Sequence, residues 1–259
     1  MPDTPQIIAI VNQKGGVGKT TTAINLGAAL ARSGRRTLLV DLDPQGNAST
    51  GLGVFPEDRE ATTFDLLQGT TPDETIRPTT IDSLWLVPST TDLAGADVTL
   101  SSEARRSYLL RDALSHRSLD PFGFDFILID CPPSLSILTV NALVAAQSVI
   151  VPLQSEFFAL EGLSQLMLTI RDVRKAANPG LRIRGVVLTM FDRRNNLSQQ
   201  VEADARANLG DLVFRTMVPR NVRLSEAPSY AMSVLDYDPN STGSQAYLSL
   251  ASEILEQES

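Results

Sequence analysis

The sequence predicts an α/β fold, a mostly parallel twisted sheet with helices on both faces. Two patterns predict it. Short apolar, β-branched runs alternate with longer segments of helical periodicity, the signature of consecutive strand–helix–strand units. Polar clusters then follow the predicted strands at Gln13–Thr21, Asp41–Asn47 and Asp130–Ser134, where the carboxyl ends of parallel strands form the binding edge of such a sheet.

The elements follow in order. Ile7-Ile8-Ala9-Ile10-Val11 is an uninterrupted apolar run, as expected of a strand buried on both faces. A glycine-rich turn leads into a helix over Thr20–Arg32, with Ile24, Leu26, Ala29 and Leu30 as candidate core positions and Gly34 as its stop. Thr37–Val40 is the second strand and ends at Asp41 and Asp43; Phe124–Ile129 is the third and ends at Asp130. Ser148–Leu153 and Ile183–Met190 are two more. Helical patterns cover Leu135–Ala146, Leu160–Ala177, Leu197–Leu209 and Tyr247–Leu255. No repeat or low-complexity linker interrupts the chain, so one domain over residues 1–259 is expected.

The bulk properties exclude several classes. A lone cysteine, Cys131, forms no internal disulfide and suits a reducing compartment. The first residues, Met1-Pro2-Asp3-Thr4, lack the basic and apolar character of a secretion signal. No apolar run approaches the roughly 20 residues that span a bilayer. A cytoplasmic protein is expected.

The central motif is Lys14-Gly15-Gly16-Val17-Gly18-Lys19-Thr20-Thr21, set between a strand and a helix. Glycines let the backbone wrap a phosphate chain without Cβ clashes, and the following helix N-terminus adds a favourable dipole. Lys19 is placed to reach the β- and γ-phosphates of ATP, and the Thr20 hydroxyl to bind Mg²⁺. The ordinary pattern requires glycine where this chain has Gln13. What fits is the variant K-G-G-x-G-K-[ST], which carries the extra lysine Lys14.

Two carboxylate clusters complete the candidate site. Asp130 ends an apolar strand, as does the carboxylate that holds Mg²⁺ beside phosphates directly or through water; its alternative role is a strand-end N-cap. In Asp41-Leu42-Asp43-Pro44-Gln45-Gly46-Asn47, strand alternation puts Asp41 and Asp43 on one side. One of the two can contact the glycine loop or the metal shell while the other positions the attacking water; the alternative is a surface turn. Cys131 reads as a packed small residue, His116 as a surface histidine and Trp85 as a packed indole.

With these motifs in order, the chain resembles the deviant Walker A P-loop ATPases, and within them the ParA/Soj-type DNA partition proteins. The matching segments are Asn12–Thr22, Asp41–Asn47, Asp130–Ser134 and Pro219-Arg220-Asn221-Val222-Arg223-Leu224-Ser225-Glu226-Ala227-Pro228-Ser229. The resemblance implies a P-loop NTPase fold and an ATP-sandwich homodimer with ATP and Mg²⁺ as cofactors. Lys19 holds phosphates in its own subunit, while Lys14 reaches the partner's nucleotide. Gly15 lies at the tight interface, and Asp43 serves hydrolysis. Thr20, Asp43 and Asp130 are the Mg²⁺ candidates. Residues Lys14 to Thr21, with Pro219 and Asn221, are the ATP contacts. The dimer is expected to bind double-stranded DNA without sequence preference, to be nucleoid-associated, and to release DNA after hydrolysis stimulated by a ParB-type partner. Arg193, Arg194, Arg220 and Arg223 are the DNA-contact candidates. Where the family often carries Gly-Lys-Pro, this chain has Ala231-Met232-Ser233, so one basic contact is absent. No helix-turn-helix segment precedes the first strand, so operator binding is not expected.

Charge supports this only locally. The chain carries a net −8, yet residues 171–223 hold eleven basic and five acidic side chains. A locally positive face can bind phosphates on an acidic protein. The rivals fit less well. A MinD-type membrane switch ends in a basic amphipathic helix, whereas this tail, Ser252-Glu253-Ile254-Leu255-Glu256-Gln257-Glu258-Ser259, is acidic; no membrane partner is expected. An iron–sulfur reductase needs more cysteines. A metabolic ligase needs a substrate site that no motif marks. The alternative within the family is an ATPase that positions a protein cluster or membrane-associated cargo.

Overall fold

The computed structural model describes residues 4–99, 105–156 and 159–258, so residues 1–3 of the N-terminal stretch and Ser259 of the tail lie outside the described residues. Among the described residues seven strands form one sheet: β1 (Gln6–Ile10), β2 (Thr37–Asp41), β3 (Arg77–Pro78), β4 (Leu84–Val87), β5 (Phe126–Asp130), β6 (Ser148–Gln154) and β7 (Arg182–Thr189). Their order is β3-β4-β2-β5-β1-β6-β7. Every pairing is parallel except that of the two-residue edge strand β3 with β4.

The unbroken apolar character of the strands has a direct structural cause. In β1 and just beyond it, Ile7, Ala9 and Val11 join one core, while Ile8 and Ile10 join the other. Both faces are therefore dry, and after Gln6 the strand carries no polar residue until it ends. The first face is shared with Leu138, Ala142, Leu166 and Ile170, carried on helices Ile137–Ala145 and Ala159–Ala176. The second is covered by α1 (Lys19–Arg32) and by the helix Thr242–Glu256, which contributes Tyr247, Leu250, Ala251 and Ile254. Each fully buried Leu or Ile among them contributes about 1.5–3 kcal/mol. The Thr22 hydroxyl meets the Tyr247 hydroxyl at 3.2 Å, which satisfies both groups at this otherwise apolar contact.

The expected strands and long helices are present with shifted ends. The C-terminal helix starts five residues before Tyr247, because the Ser241 hydroxyl accepts the Ser244 N–H and caps it. The third predicted strand starts at Phe126. Phe124 instead stacks on Phe122 at 5.3 Å and meets the Trp85 ring edge-on at 5.4 Å, and Asp125 accepts the Arg36 N–H. Periodicity missed the short elements between Asn47 and Phe124, among them β3, β4 and the helices Thr63–Leu67 and Leu109–Leu114; of these β4 bears on the site. Leu84-Trp85-Leu86-Val87 is too short a run to show alternation, yet it pairs with β2 along its length. His116 is exposed, as expected, and Cys131 is buried among apolar neighbours, which pushes its thiol pKa up. No helix among the described residues is long and apolar enough to cross a membrane.

The register places the site. Ile10 of β1 pairs with Asp130 of β5, and Asp130 pairs with Asp41 of β2. Three neighbouring strands thus deliver the glycine loop and two carboxylates to one sheet edge.

Candidate nucleotide site

The chain leaves β1 and runs through Val11–Gly18 directly into α1. Gly18 takes φ 86°, a left-handed conformation that a side chain resists. No side chain caps α1, so the orphan amides and positive dipole end of its first turn are of the kind that receives a phosphate. The loop is pinned at its base. Asn12 donates to the Pro152 carbonyl at 2.7 Å and accepts the Lys14 N–H at 3.0 Å. The Thr189 hydroxyl donates to the Val17 carbonyl at 2.8 Å.

The two lysines of the loop have opposite environments. Lys19 is buried, and its ammonium donates to the Lys14 carbonyl at 3.3 Å. Burial lowers its pKa, against the pull of Asp130, Cys131 and Asp43. Lys14 is exposed and its ammonium sits 2.7 Å from Glu156, with both side chains nearly half accessible. Gly15 and Gly16 are exposed, and a Cβ at either would meet nothing within 4 Å. Thr20 and Thr21 follow in the first turn of α1, both half-buried.

The three carboxylates also divide. Asp41 is fully buried and already occupied. Its Oδ2 accepts the Ser49 N–H at 2.8 Å and the Ser49 hydroxyl at 2.6 Å, and its Oδ1 accepts the Asp43 N–H at 3.3 Å. Burial still raises its pKa to about 6, against the Ser49 bonds. Asp41 therefore tethers the short helix Asn47–Gly51. Asp43 is nearly buried and accepts the Gln45 N–H at 3.0 Å through Oδ1. Asp130 is fully buried, and neither carboxylate oxygen has a hydrogen-bond partner. Burial pushes its pKa well above the ordinary range; Asp41 and Asp43 add to the rise, and the Thr20 hydroxyl and Lys19 oppose it. A buried carboxylate with no partner is costly, and its neighbours are a hydroxyl and an ammonium. Such a donor set fits a hard cation that takes one or two protein oxygens and completes its shell with phosphates and water. Consistent with that division, no group of three or more His, Cys, Asp or Glu among the described residues forms a cation cage by itself.

Three residues of this edge were not legible in the motifs: Ser49, Ser89 and Arg59. Ser89 follows β4, where its hydroxyl donates to the Asp43 carbonyl at 2.6 Å and its N–H to the Ser49 hydroxyl at 3.0 Å. Arg59 donates to the carbonyls of Gly46, Val54 and Ser89 and to the Thr50 hydroxyl.

The Pro219–Ser229 segment lies alongside the loop after β7. Phe191 bridges Pro219, with the Phe191 N–H on the Val218 carbonyl and the Arg220 N–H on the Phe191 carbonyl, both at 3.1 Å. This brings Arg193, Arg194, Arg215 and Arg220 around a cleft of about 640 Å³. Asn221 caps the short helix Val222–Glu226, accepting the Arg223 N–H and donating to the Thr242 hydroxyl, each at 2.8 Å. Its side-chain amide is committed to that cap.

The structure trims the positive face expected from charge alone. Arg194 pairs with Asp192, Arg223 with Glu226 and Asp238, and Arg215 with Glu253 and Glu256. Arg184 is buried and pairs with Glu258. The acidic C-terminal helix neutralises part of the basic stretch, a pairing across dozens of residues that a linear count misses. Arg193 and Arg220 remain exposed.

A family model described as an AAA domain matches residues 5–183. The chromosome partitioning protein ParA of Caulobacter vibrioides is 57% identical over 256 residues, spanning 98% of this chain and 95% of the relative. The sporulation initiation inhibitor protein Soj of Bacillus subtilis is 50% identical over 250 residues, spanning 96% and 98%. Among solved structures, cobyrinic acid a,c-diamide synthase from Mycobacterium smegmatis, with bound ADP and magnesium, matches with a TM-score of 0.86 at 39% identity, over 98% of this chain and 95% of that one. That name belongs to the metabolic class, but its identity to this chain is lower than that of either partition protein.

A parallel sheet with a glycine loop at its carboxyl edge and a buried carboxylate beside it defines a P-loop ATPase, an enzyme that hydrolyses ATP. At 50–57% identity over almost its whole length, the chain belongs to the ParA/Soj family of chromosome-partitioning ATPases.

Proposed function

We propose that this ATPase works as an ATP-gated homodimer that holds double-stranded DNA without sequence preference while ATP is intact, and lets go after hydrolysis. The observation that carries the reading is the contrast between the two loop lysines. Lys19 is buried at the head of α1, whereas Lys14 stands exposed on Glu156 beside two open glycines. A partly exposed ion pair of this kind is worth only about 0–1 kcal/mol, so Lys14 exchanges Glu156 for a partner's phosphates at little cost. The open backbone at Gly15 lets a second copy approach the loop closely.

In this reading Lys19, Thr20, Thr21 and the amides of Gly15–Gly18 hold the triphosphate, and the Thr20 hydroxyl with Asp130 holds Mg²⁺. The metal supplies charge neutralisation on the phosphates. Asp43 orients the attacking water, with any contact to the cation coming from the same carboxylate. Pro219 and the backbone around Asn221 face the nucleotide, since the Asn221 side chain is engaged in its cap. Arg193 and Arg220 lead the DNA contacts, with Arg194 and Arg223 drawn from their acidic partners. Contacts of this type go to phosphates, and doubling them in a dimer raises affinity steeply. A ParB-type partner accelerating hydrolysis, and association with the nucleoid, belong to the same reading.

Retention on a nonspecific duplex, measured with ATP, with ADP and without nucleotide across a salt series, tests it. Binding with ATP alone, weakening steeply with salt, is expected. Equal binding in all three states overturns it. DNA-independent, ATP-dependent capture of a protein cluster would favour the cargo-positioning alternative.

A further inference from the structure

The geometry points to Arg59 as the positioning residue for Asp43. With Ser89, its guanidinium clamps the turn that carries this carboxylate, so it governs the rate of ATP hydrolysis rather than nucleotide affinity. The inference rests on the reading of Asp43 as the hydrolytic carboxylate.

Arg59 is half-buried and is in no ion pair among the described residues. It spends its donors on neutral oxygens from separate parts of the chain. Nη1 donates to the Ser89 carbonyl at 2.8 Å. Nη2 donates to the Thr50 hydroxyl at 2.7 Å, the Val54 carbonyl at 2.9 Å and the Gly46 carbonyl at 3.2 Å. Nε donates to the Val54 carbonyl at 3.1 Å. Only a planar fork with five N–H groups spans such a set; an ammonium on a flexible stem does not.

The turn that begins at Asp43 is thereby held from two sides. At one end the Asp43 carbonyl accepts the Ser89 hydroxyl at 2.6 Å and the Gly46 N–H at 2.9 Å. At the other, the Gly46 carbonyl accepts from Arg59. The fit leaves no room for a side chain. Gly46 sits at φ 63°, and a Cβ there would lie 2.2 Å from Arg59 Nη1 and 3.0 Å from the Ser89 carbonyl oxygen. None of the Arg59 acceptors belongs to the glycine loop or α1, so loosening the clamp moves Asp43 and leaves the phosphate cradle in place. A shift of about 1 Å in a reacting group costs on the order of a hundredfold in rate.

The test uses the full chain and steady-state ATP hydrolysis with Mg²⁺, comparing Arg59→Lys, Arg59→Ala and Ser89→Ala with Asp43→Ala. Arg59→Lys and Ser89→Ala are each expected to lower kcat about tenfold or more with KM for ATP within about twofold. Millimolar guanidinium should partly restore kcat in Arg59→Ala. If Asp43→Ala abolishes turnover while Arg59→Lys and Ser89→Ala keep wild-type kcat, the clamp is wrong. It is equally wrong if KM rises in step with the fall in kcat, the mark of a merely structural staple. Undiminished turnover in Asp43→Ala overturns the hydrolytic reading of Asp43, and the clamp with it.

Discussion

Asp130→Asn should make the nucleotide-free protein more stable while removing its response to magnesium. The carboxylate of Asp130 is fully buried with neither oxygen hydrogen-bonded. Asp41 and Asp43 raise its pKa further, and the opposing effects of Thr20 and Lys19 do not cancel burial. The charge is therefore a net cost until a cation arrives. Removing the charge should add on the order of 1 kcal/mol, because the amide that replaces it is still a buried polar group. At this chain length each kcal/mol moves Tm by about 2–4 °C. The pH dependence has a definite sign. A carboxyl whose folded pKa lies above its ordinary value of 3.8 binds more protons folded than unfolded, so stability falls as pH rises from that value through the folded pKa. The advantage of Asp130→Asn should vanish in acid and grow as the pH rises through the folded pKa. Ligand reverses the ranking: wild type gains about 2.7 kcal/mol at a hundredfold excess of Mg-ATP over Kd, and the variant gains much less. Thermal unfolding with and without Mg-ATP, at acidic and neutral pH, reads all of this. A variant whose stability relative to wild type does not rise with pH without ligand, or one with an undiminished Mg-ATP shift, would refute the reasoning.

Gly15→Val should leave the monomer's Tm and ATP affinity almost unchanged, since a Cβ there meets nothing within 4 Å; calorimetric titration checks the affinity, and lost ATP-dependent DNA retention marks the blocked interface. Lys19→Ala should lose ATP binding altogether in the same titration, because a buried ammonium then no longer meets the phosphates. Gly46→Ala should destabilise by at least about 1 kcal/mol, from the positive φ alone, and slow ATP turnover through Arg59. Replacing Arg193 and Arg220 by Ala should reduce the dependence of log K on log salt by about 0.9 per lost phosphate contact, with hydrolysis in the absence of DNA intact; an unchanged slope in duplex titrations moves the DNA surface elsewhere.

What was legible in the sequence was what sequence-local chemistry encodes. The glycine loop, β1 and β5 announce themselves because both sheet faces are buried, so their strands are unbroken apolar runs that end at functional polar residues. The Asp130 environment follows from its place at the end of such a run. The clamp around Asp43 was not legible, for two physical reasons. Leu84–Val87 is only four residues long, so the strand that delivers Ser89 shows no period. Arg59 bonds to three backbone carbonyls and one hydroxyl, and carbonyls leave no trace in residue identity. The residues alone left the roles of Asp41 and Asp43 open and only the family resemblance pointed to Asp43; the Ser49 bonds tie Asp41 to the scaffold. The partial neutralisation of the basic stretch was not legible in the linear sequence because Glu253, Glu256 and Glu258, which pair with Arg215 and Arg184, lie far along the chain.

The central claim is that one subunit's Lys14 completes its twin's ATP site. Sedimentation of the full chain with Mg²⁺ and a non-hydrolysable ATP analogue tests it most directly. The account predicts a dimer for wild type and a nucleotide-bound monomer for Lys14→Ala. A wild-type chain that stays monomeric with analogue bound, or a Lys14→Ala variant that dimerises as well as wild type, contradicts it.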